Sequence, residues 1–122
     1  MASGTINMGK MKLLWENPSP TSAFAAQDIN LSGSDYDFLM FIFHPNKNSY
    51  TACYSQITLK GKGTSMWYAV PSGSGVRAFA RGCIYVSDTK YSIANSTFST
   101  GSAADVTDNN NVIPYQIYGI KN

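Results

Sequence analysis

The stretch that decides the fold is residues 76–86, "VRAFARGCIYV". Val76, Ala78, Ala80, Ile84 and Val86 fall on one face, and Arg77, Phe79, Arg81, Cys83 and Tyr85 on the other. A period of two belongs to an extended chain, whose successive side chains point to opposite sides. Gly82 interrupts the run and is the expected place for a bulge.

Similar segments lie on both sides of this strand. "SMWYAV" (65–70) precedes it across the turn "PSGSG", and a strand over 91–98 follows the turn "SDTK". Further upstream, "YTACYSQITL" (50–59) alternates, and "YDFLMFIFH" (36–44) is an unbroken apolar run. That run is too short for a typical helix and rich in aromatics, so it reads as a central strand buried on both faces. "QDINL" (27–31) is a short strand, and "MKLLW" (11–15) is the first. Pro18 and Pro20 end that first strand because they offer no N–H to a ladder. A polar loop, "STGSAADVTDNNN" (99–111), separates the 91–98 strand from a last one over 112–120. The best helix candidate, 21–26, supplies one turn at most. About eight strands spaced by turn signals predict an all-β fold: an antiparallel β-sandwich or a jelly-roll-like barrel. One domain covers 11–122, after a leader or linker remnant at 1–10.

Composition agrees. The 122 residues are 43% hydrophobic and only 13% charged, about half the usual charged share. Eight Tyr, six Phe and two Trp sit among many Ser, Thr, Asn and Gly, a mixture that suits short strands and polar turns. The net charge of +2 is scattered, which argues against nucleic acid and anionic membranes. No apolar stretch approaches the roughly 20 residues that span a bilayer, so no membrane insertion is expected.

The search for chemistry is mostly negative. The one histidine, His44, reads as a strand-end residue touching solvent. Two cysteines, Cys53 and Cys83, lie in apolar strand contexts and read as buried free thiols, with a cross-strand disulfide left to geometry. No metal site or cofactor is expected from so few ligands. The acids Glu16, Asp28, Asp35, Asp37, Asp88, Asp105 and Asp108 fall almost entirely in turns or at strand ends, where Asp caps local backbone. Catalytic residues are therefore expected to be absent. What remains is aromatic. Trp67, Tyr68, Arg77, Arg81 and Tyr85 form a candidate ligand-binding stripe, in which rings stack on sugar C–H faces and arginines reach hydroxyls. The competing reading is that these rings fill the core or a subunit interface.

The stretch "WENPSPTSAFAAQ" (15–27) has a structural reading. Asn17 caps the turn through its side chain, Pro18 and Pro20 stiffen it, and Phe24 returns a ring to the core. With Trp15, these residues are expected to close one end of the sandwich rather than to bind.

Three segments carry a family resemblance: "LLWENPSPTSAFAAQDINL" (13–31) followed by "YDFLMFIF", "RGCIYVSDTKYSIANS" (81–96), and the closing "NVIPYQIYGIKN" (111–122). Together they resemble the C-terminal domains of tail fibres and minor structural proteins from phages of Gram-positive bacteria. The resemblance covers about 11–122, with distinctive ends and a loose middle. It implies a virion tail module, made in the bacterial cytoplasm. Such a module is a homotrimer that joins other tail proteins and binds a host cell-wall glycan without catalysis.

Overall fold

The computed structural model describes residues 10–49, 51–73, 75–100 and 106–122. The expected leader falls almost wholly outside them. The strands are β1 (Met11–Glu16), β2 (Gln27–Asn30), β3 (Phe38–Asn46), β4 (Tyr54–Leu59), β5 (Thr64–Ser72), β6 (Gly75–Ser87), β7 (Lys90–Thr100), β8 (Val106–Thr107) and β9 (Asn111–Ile120). They form two antiparallel sheets packed face to face, an all-β sandwich, with no helix among the described residues. One sheet has the order β1-β9-β3-β4. The other has β2-β7-β6-β5, with β8 beside β7.

Residues 76–86 are the heart of β6, which pairs with β5 on one side and β7 on the other. The bulge lies where Gly82 was expected to mark it. Arg81 pairs with Ser96 but Cys83 with Ile93, so β7 carries one extra residue opposite Gly82. The slip changes which residues of β7 face inward: Tyr91 and Ile93 before it, Ser96 and Phe98 after it. Two further irregularities shape the other sheet. β1 gains a residue at Leu14 relative to β9, and β9 gains one at Tyr115 relative to β3.

The core mixes aliphatic and aromatic side chains. Leu39, Phe41 and Phe43 of β3 and Ile113 and Ile117 of β9 meet Met66, Tyr91 and Ile93 from the opposite sheet, all fully buried. Rings then run as a chain across the β4–β5 side: Phe43, Tyr54, Tyr68, Phe79 and Phe98, with successive centroids 4.8–5.6 Å apart. Each such contact adds a little beyond area burial and fixes ring orientation.

Several expectations change. Residues 21–26 form turns and bends, because their amides bond outward: Phe24 N–H donates to Asn109 O (3.0 Å) and Ala26 N–H to Asn95 Oδ1 (3.0 Å). The long polar loop contains a short strand, β8, held by Thr97 and Phe98. The apolar run 36–44 is buried on one face only. Phe38, Met40 and Ile42 alternate with the core residues and lie on the outer, half-covered side of the sheet. His44 is 3% exposed, not solvated, because Tyr115 covers its ring at 4.7 Å and Ala52 O takes its Nδ1 at 2.9 Å. Cys83 is a buried free thiol as expected. Cys53 is free but exposed, since it precedes β4 instead of lying within it.

The 15–27 turn is wired as its sequence suggests. Asn17 Oδ1 accepts from Ser19 N–H (2.8 Å) while its Nδ2 donates to Pro114 O (2.8 Å), so the amide both caps the turn and ties it to β9. Phe24 is 5% exposed and meets Trp15 edge-to-face at 6.2 Å. Truncating Phe24 to Ala leaves a cavity between the sheets. A loss of about 3–5 kcal/mol is expected, read as a lowered midpoint in urea; an unchanged midpoint would contradict the plug.

Candidate functional site

The proposed aromatic stripe does not assemble on one face. On β5, Trp67 points outward and is 58% exposed, with Ala80 opposite it. Tyr68 points the other way, stacks on Phe79 at 4.8 Å and donates its hydroxyl to Pro45 O (2.9 Å). Arg77 is half-buried, with its guanidinium 5.3 Å from the Phe98 ring centroid. Tyr85 packs on Tyr91 and donates to Asp88 Oδ1 (2.8 Å). The odd-numbered face of β6 is the inner one, so Arg77, Arg81 and Tyr85 turn away from Trp67.

Arg81 is the largest departure. Its side chain is fully buried, with no carboxylate partner. Its Nε donates to Val112 O (2.8 Å), its Nη1 to Phe24 O (2.8 Å) and Ala94 O (2.9 Å), and its Nη2 to Asn111 O (3.1 Å). Four of the five guanidinium N–H groups are thus satisfied by carbonyls, and the charge lies 5.3 Å from the Phe24 ring centroid. These carbonyls belong to β7, to the start of β9 and to the 15–27 turn, so one side chain joins both sheets and the connection between β1 and β2. It also holds the backbone where Val112 adopts φ 50°, a left-handed conformation costly for a β-branched residue. Burial lowers the Arg81 pKa to about 10, with Cys83 acting in the opposite direction, so it remains charged at neutral pH.

Where the sandwich does open is beside the turn. β1 and β2 are the edge strands of the two sheets on that side. The groove next to them has a volume of about 480 Å³ and is lined by Trp15, Pro18, Phe24, Gln27, Asp28 and Asn30, among others. Its volume is in the range of small-molecule sites. Trp15 supplies a half-buried indole wall. Gln27 is partly engaged, donating Nε2 to Ala25 O (3.0 Å). Asp28 is different. Among the described residues, every other carboxylate has a local partner: Glu16 with Gln116, Asp35 and Asp37 with Lys121, Asp88 with Lys60 and Tyr85, and Asp108 with Asn110 N–H. Asp28 and Asn30 have no side-chain hydrogen bond or ion pair there. The turn expected to close one end of the sandwich also forms one wall of this groove. Sequence reasoning missed it because Trp15 and Asp28 belong to different sheets, and nothing in their spacing brings them together.

One further pair has chemical interest. Cys53 Sγ lies 3.7 Å from His44 Nδ1. The same Nδ1 is 2.9 Å from Ala52 O, a carbonyl that can only accept, so the proton sits on Nδ1. That nitrogen can donate to the sulfur but cannot take its proton, so this geometry lacks the base a nucleophilic thiol requires. No cluster of three or more His, Cys, Asp or Glu suited to a metal occurs among the described residues.

No protein-family model, curated protein or solved structure matches this chain.

Two predictions follow from these groups. Replacing Arg81 with Met leaves four carbonyls without their donor, and a loss on the order of 3–5 kcal/mol is expected in urea denaturation. Lys at 81 is expected to recover little, because one ammonium cannot span the four acceptors. The second concerns alkaline pH. Burial pushes Tyr36, Tyr68 and Cys83 up to about 12 from ordinary values of 10.0, 10.0 and 9.0, and raises Tyr91 as well. The folded protein keeps protons that the unfolded chain releases above those ordinary values. This stability is fully present below about pH 9 and is lost as pH rises through 12. Arg81, with its lowered pKa, opposes the trend but is one group against four. The urea midpoint is expected to fall between about pH 9 and 12; a midpoint flat over that range would contradict the burial of these groups.

Proposed function

We propose that this domain is a non-enzymatic phage tail module that binds a host cell-surface glycan in the groove between β1 and β2. Asp28 carries the reading: it is the one described carboxylate without a partner, and it shares a groove with an indole. Sugars present C–H faces that stack on aromatic rings and hydroxyls that donate to carboxylates and amides. Trp15 within the groove and Asp28 and Asn30 at its β2 rim, where they alternate with the buried Ile29, offer those chemistries close together, while Trp67 has only small side chains beside it on its sheet face. The sequence likeness at 13–31, 81–96 and 111–122 supports the virion setting, with other tail proteins as neighbours.

A second reading has its own support. A capping domain that closes a virion fibre without a ligand accounts for the apolar outer face of β3 and β4. Titration of cell-wall glycan fragments, followed by ligand-observed NMR, separates the two. Asp28→Asn and Trp15→Ala are expected to weaken binding by about tenfold or more, equivalent to roughly 1.4 kcal/mol, while Trp67→Ala leaves it unchanged. Asp28 is exposed, so its variant keeps the fold and remains informative if Trp15→Ala does not. Binding lost with Trp67→Ala and retained with Asp28→Asn would move the site to the outer face. No binding by the folded protein would favour the cap.

A further inference from the structure

Two arginines share the inner face of β6, and the fold uses only one of them. Arg81 places its N–H groups on four carbonyls. Arg77, on the same face, makes no hydrogen bond or ion pair with any described residue, and its Nε is closed off from solvent without a partner. The Phe98 ring lies 5.3 Å from the guanidinium carbon. A ring face attracts the charge but gives no acceptor in the guanidinium plane, where the N–H groups point. The neighbouring side chains do not supply one either. Val70 lies opposite on β5, Phe79 follows on β6, and Tyr68 donates its hydroxyl to Pro45 O (2.9 Å). The described carboxylates are engaged elsewhere, apart from Asp28. Asp28 pairs with Ser92, whereas Arg77 pairs with Thr100, about 25 Å further along β7. A buried donor on a cation is costlier to leave unpaired than a neutral one, and folded proteins seldom do so unless a water, ion or ligand takes it.

We propose that Arg77 anchors an oxyanion site at the β5–β6 end of the sandwich, which takes a carboxylate or phosphate group. Three observations select an oxyanion. The guanidinium offers Nε–H and an adjacent Nη–H side by side in one plane, a fork that two oxygens of one carboxylate or phosphate fit. Phe98 already holds one face of that fork, so the side chain loses little further freedom on binding. The surroundings are the rings of Tyr68, Phe79 and Phe98, among which a water would satisfy the donor but leave the charge unbalanced, while an anion answers both. The site has access to solvent, since Arg77 is half-buried and Val70 beside it is 37% exposed. It is separate from the groove: β5 and β2 are opposite edges of their sheet, so the inference does not rest on glycan binding there.

The test is a titration of the full chain with inorganic phosphate and, separately, acetate, at constant ionic strength made up with chloride. Heteronuclear NMR follows the arginine Nε–H signals, assigned through the backbone. The Arg77 signal is expected to move saturably at millimolar anion while that of Arg81 stays fixed, and the anion with the tighter response names the ligand group. The melting temperature is expected to rise with the same anion. Arg77→Lys keeps the charge but lacks Nε–H, and is expected to weaken binding tenfold or more, read from the melting temperature. A rise retained in that variant would mark a general salt effect and overturn the proposal. The parent titration decides the matter even if the variant fails to fold: an Arg77 signal unmoved by both anions sinks the site. So does an Arg77 signal that moves on Asp105→Asn with no anion added, because the acceptor is then an acid of the chain itself; Asp105 lies outside the described residues.

Discussion

The guanidinium of Arg81 holds this domain together. A buried cation without a carboxylate is costly unless its donors are satisfied, and here carbonyls from three separated parts of the chain take four of the five. Those carbonyls sit at irregular points of the chain. Phe24 lies in a turn, Ala94 beside a bulge, and Asn111 and Val112 where β9 begins with a left-handed residue. Each is a point where the regular strand geometry is interrupted or begins. The fold thus has its irregularities clustered around one side chain, and the clustering is what makes them affordable inside a core.

From that centre the two open sides of the sandwich are finished differently. On the β4–β5 side the ring chain from Phe43 to Phe98 fills the space between the sheets. On the β1–β2 side Phe24 is drawn inward by Arg81 and by Asn109, and the turn that carries it leaves a groove along the edges. Asn95 and Asn109 stiffen this side. Asn109 Oδ1 accepts from Ser96 N–H, and its Nδ2 donates to Asn95 Oδ1, which also accepts from Ala26 N–H. The backbone behind the groove wall is therefore held by side-chain hydrogen bonds.

Much of the architecture was legible. Period-two patterning located β6, and turn residues separated its neighbours, because hydrophobic alternation and Gly or Pro punctuation are local signals. The capping role of Asn17 and the inward ring of Phe24 were legible for the same reason. What was not legible is which side of a strand faces in. Alternation defines two faces, and on β6 both look plausible: one carries Val76, Ile84 and Val86, the other two arginines and a tyrosine. The inner face proved to be the one with the arginines, since Phe79 and Cys83 share it and Arg81 finds carbonyls there. Those carbonyls come from residues 13 to 57 positions away in the chain, beyond any local reading. His44 and the groove escaped for related reasons, as each depends on pairing between strands remote in sequence.

The place of β9 has a consequence for how the molecule is made. This strand lies between β1 and β3, so neither can complete its ladder until residues 111–120 are available. During synthesis β3 leaves the ribosome early, with Leu39, Phe41 and Phe43 lacking the partner that later flanks them. The sheet cannot close by local hairpins alone, and its formation waits on one of the longest loop closures in the chain. A newly made chain therefore passes through an interval in which its most apolar strand has one open edge, and protection from aggregation in that interval rests on the speed with which β9 inserts.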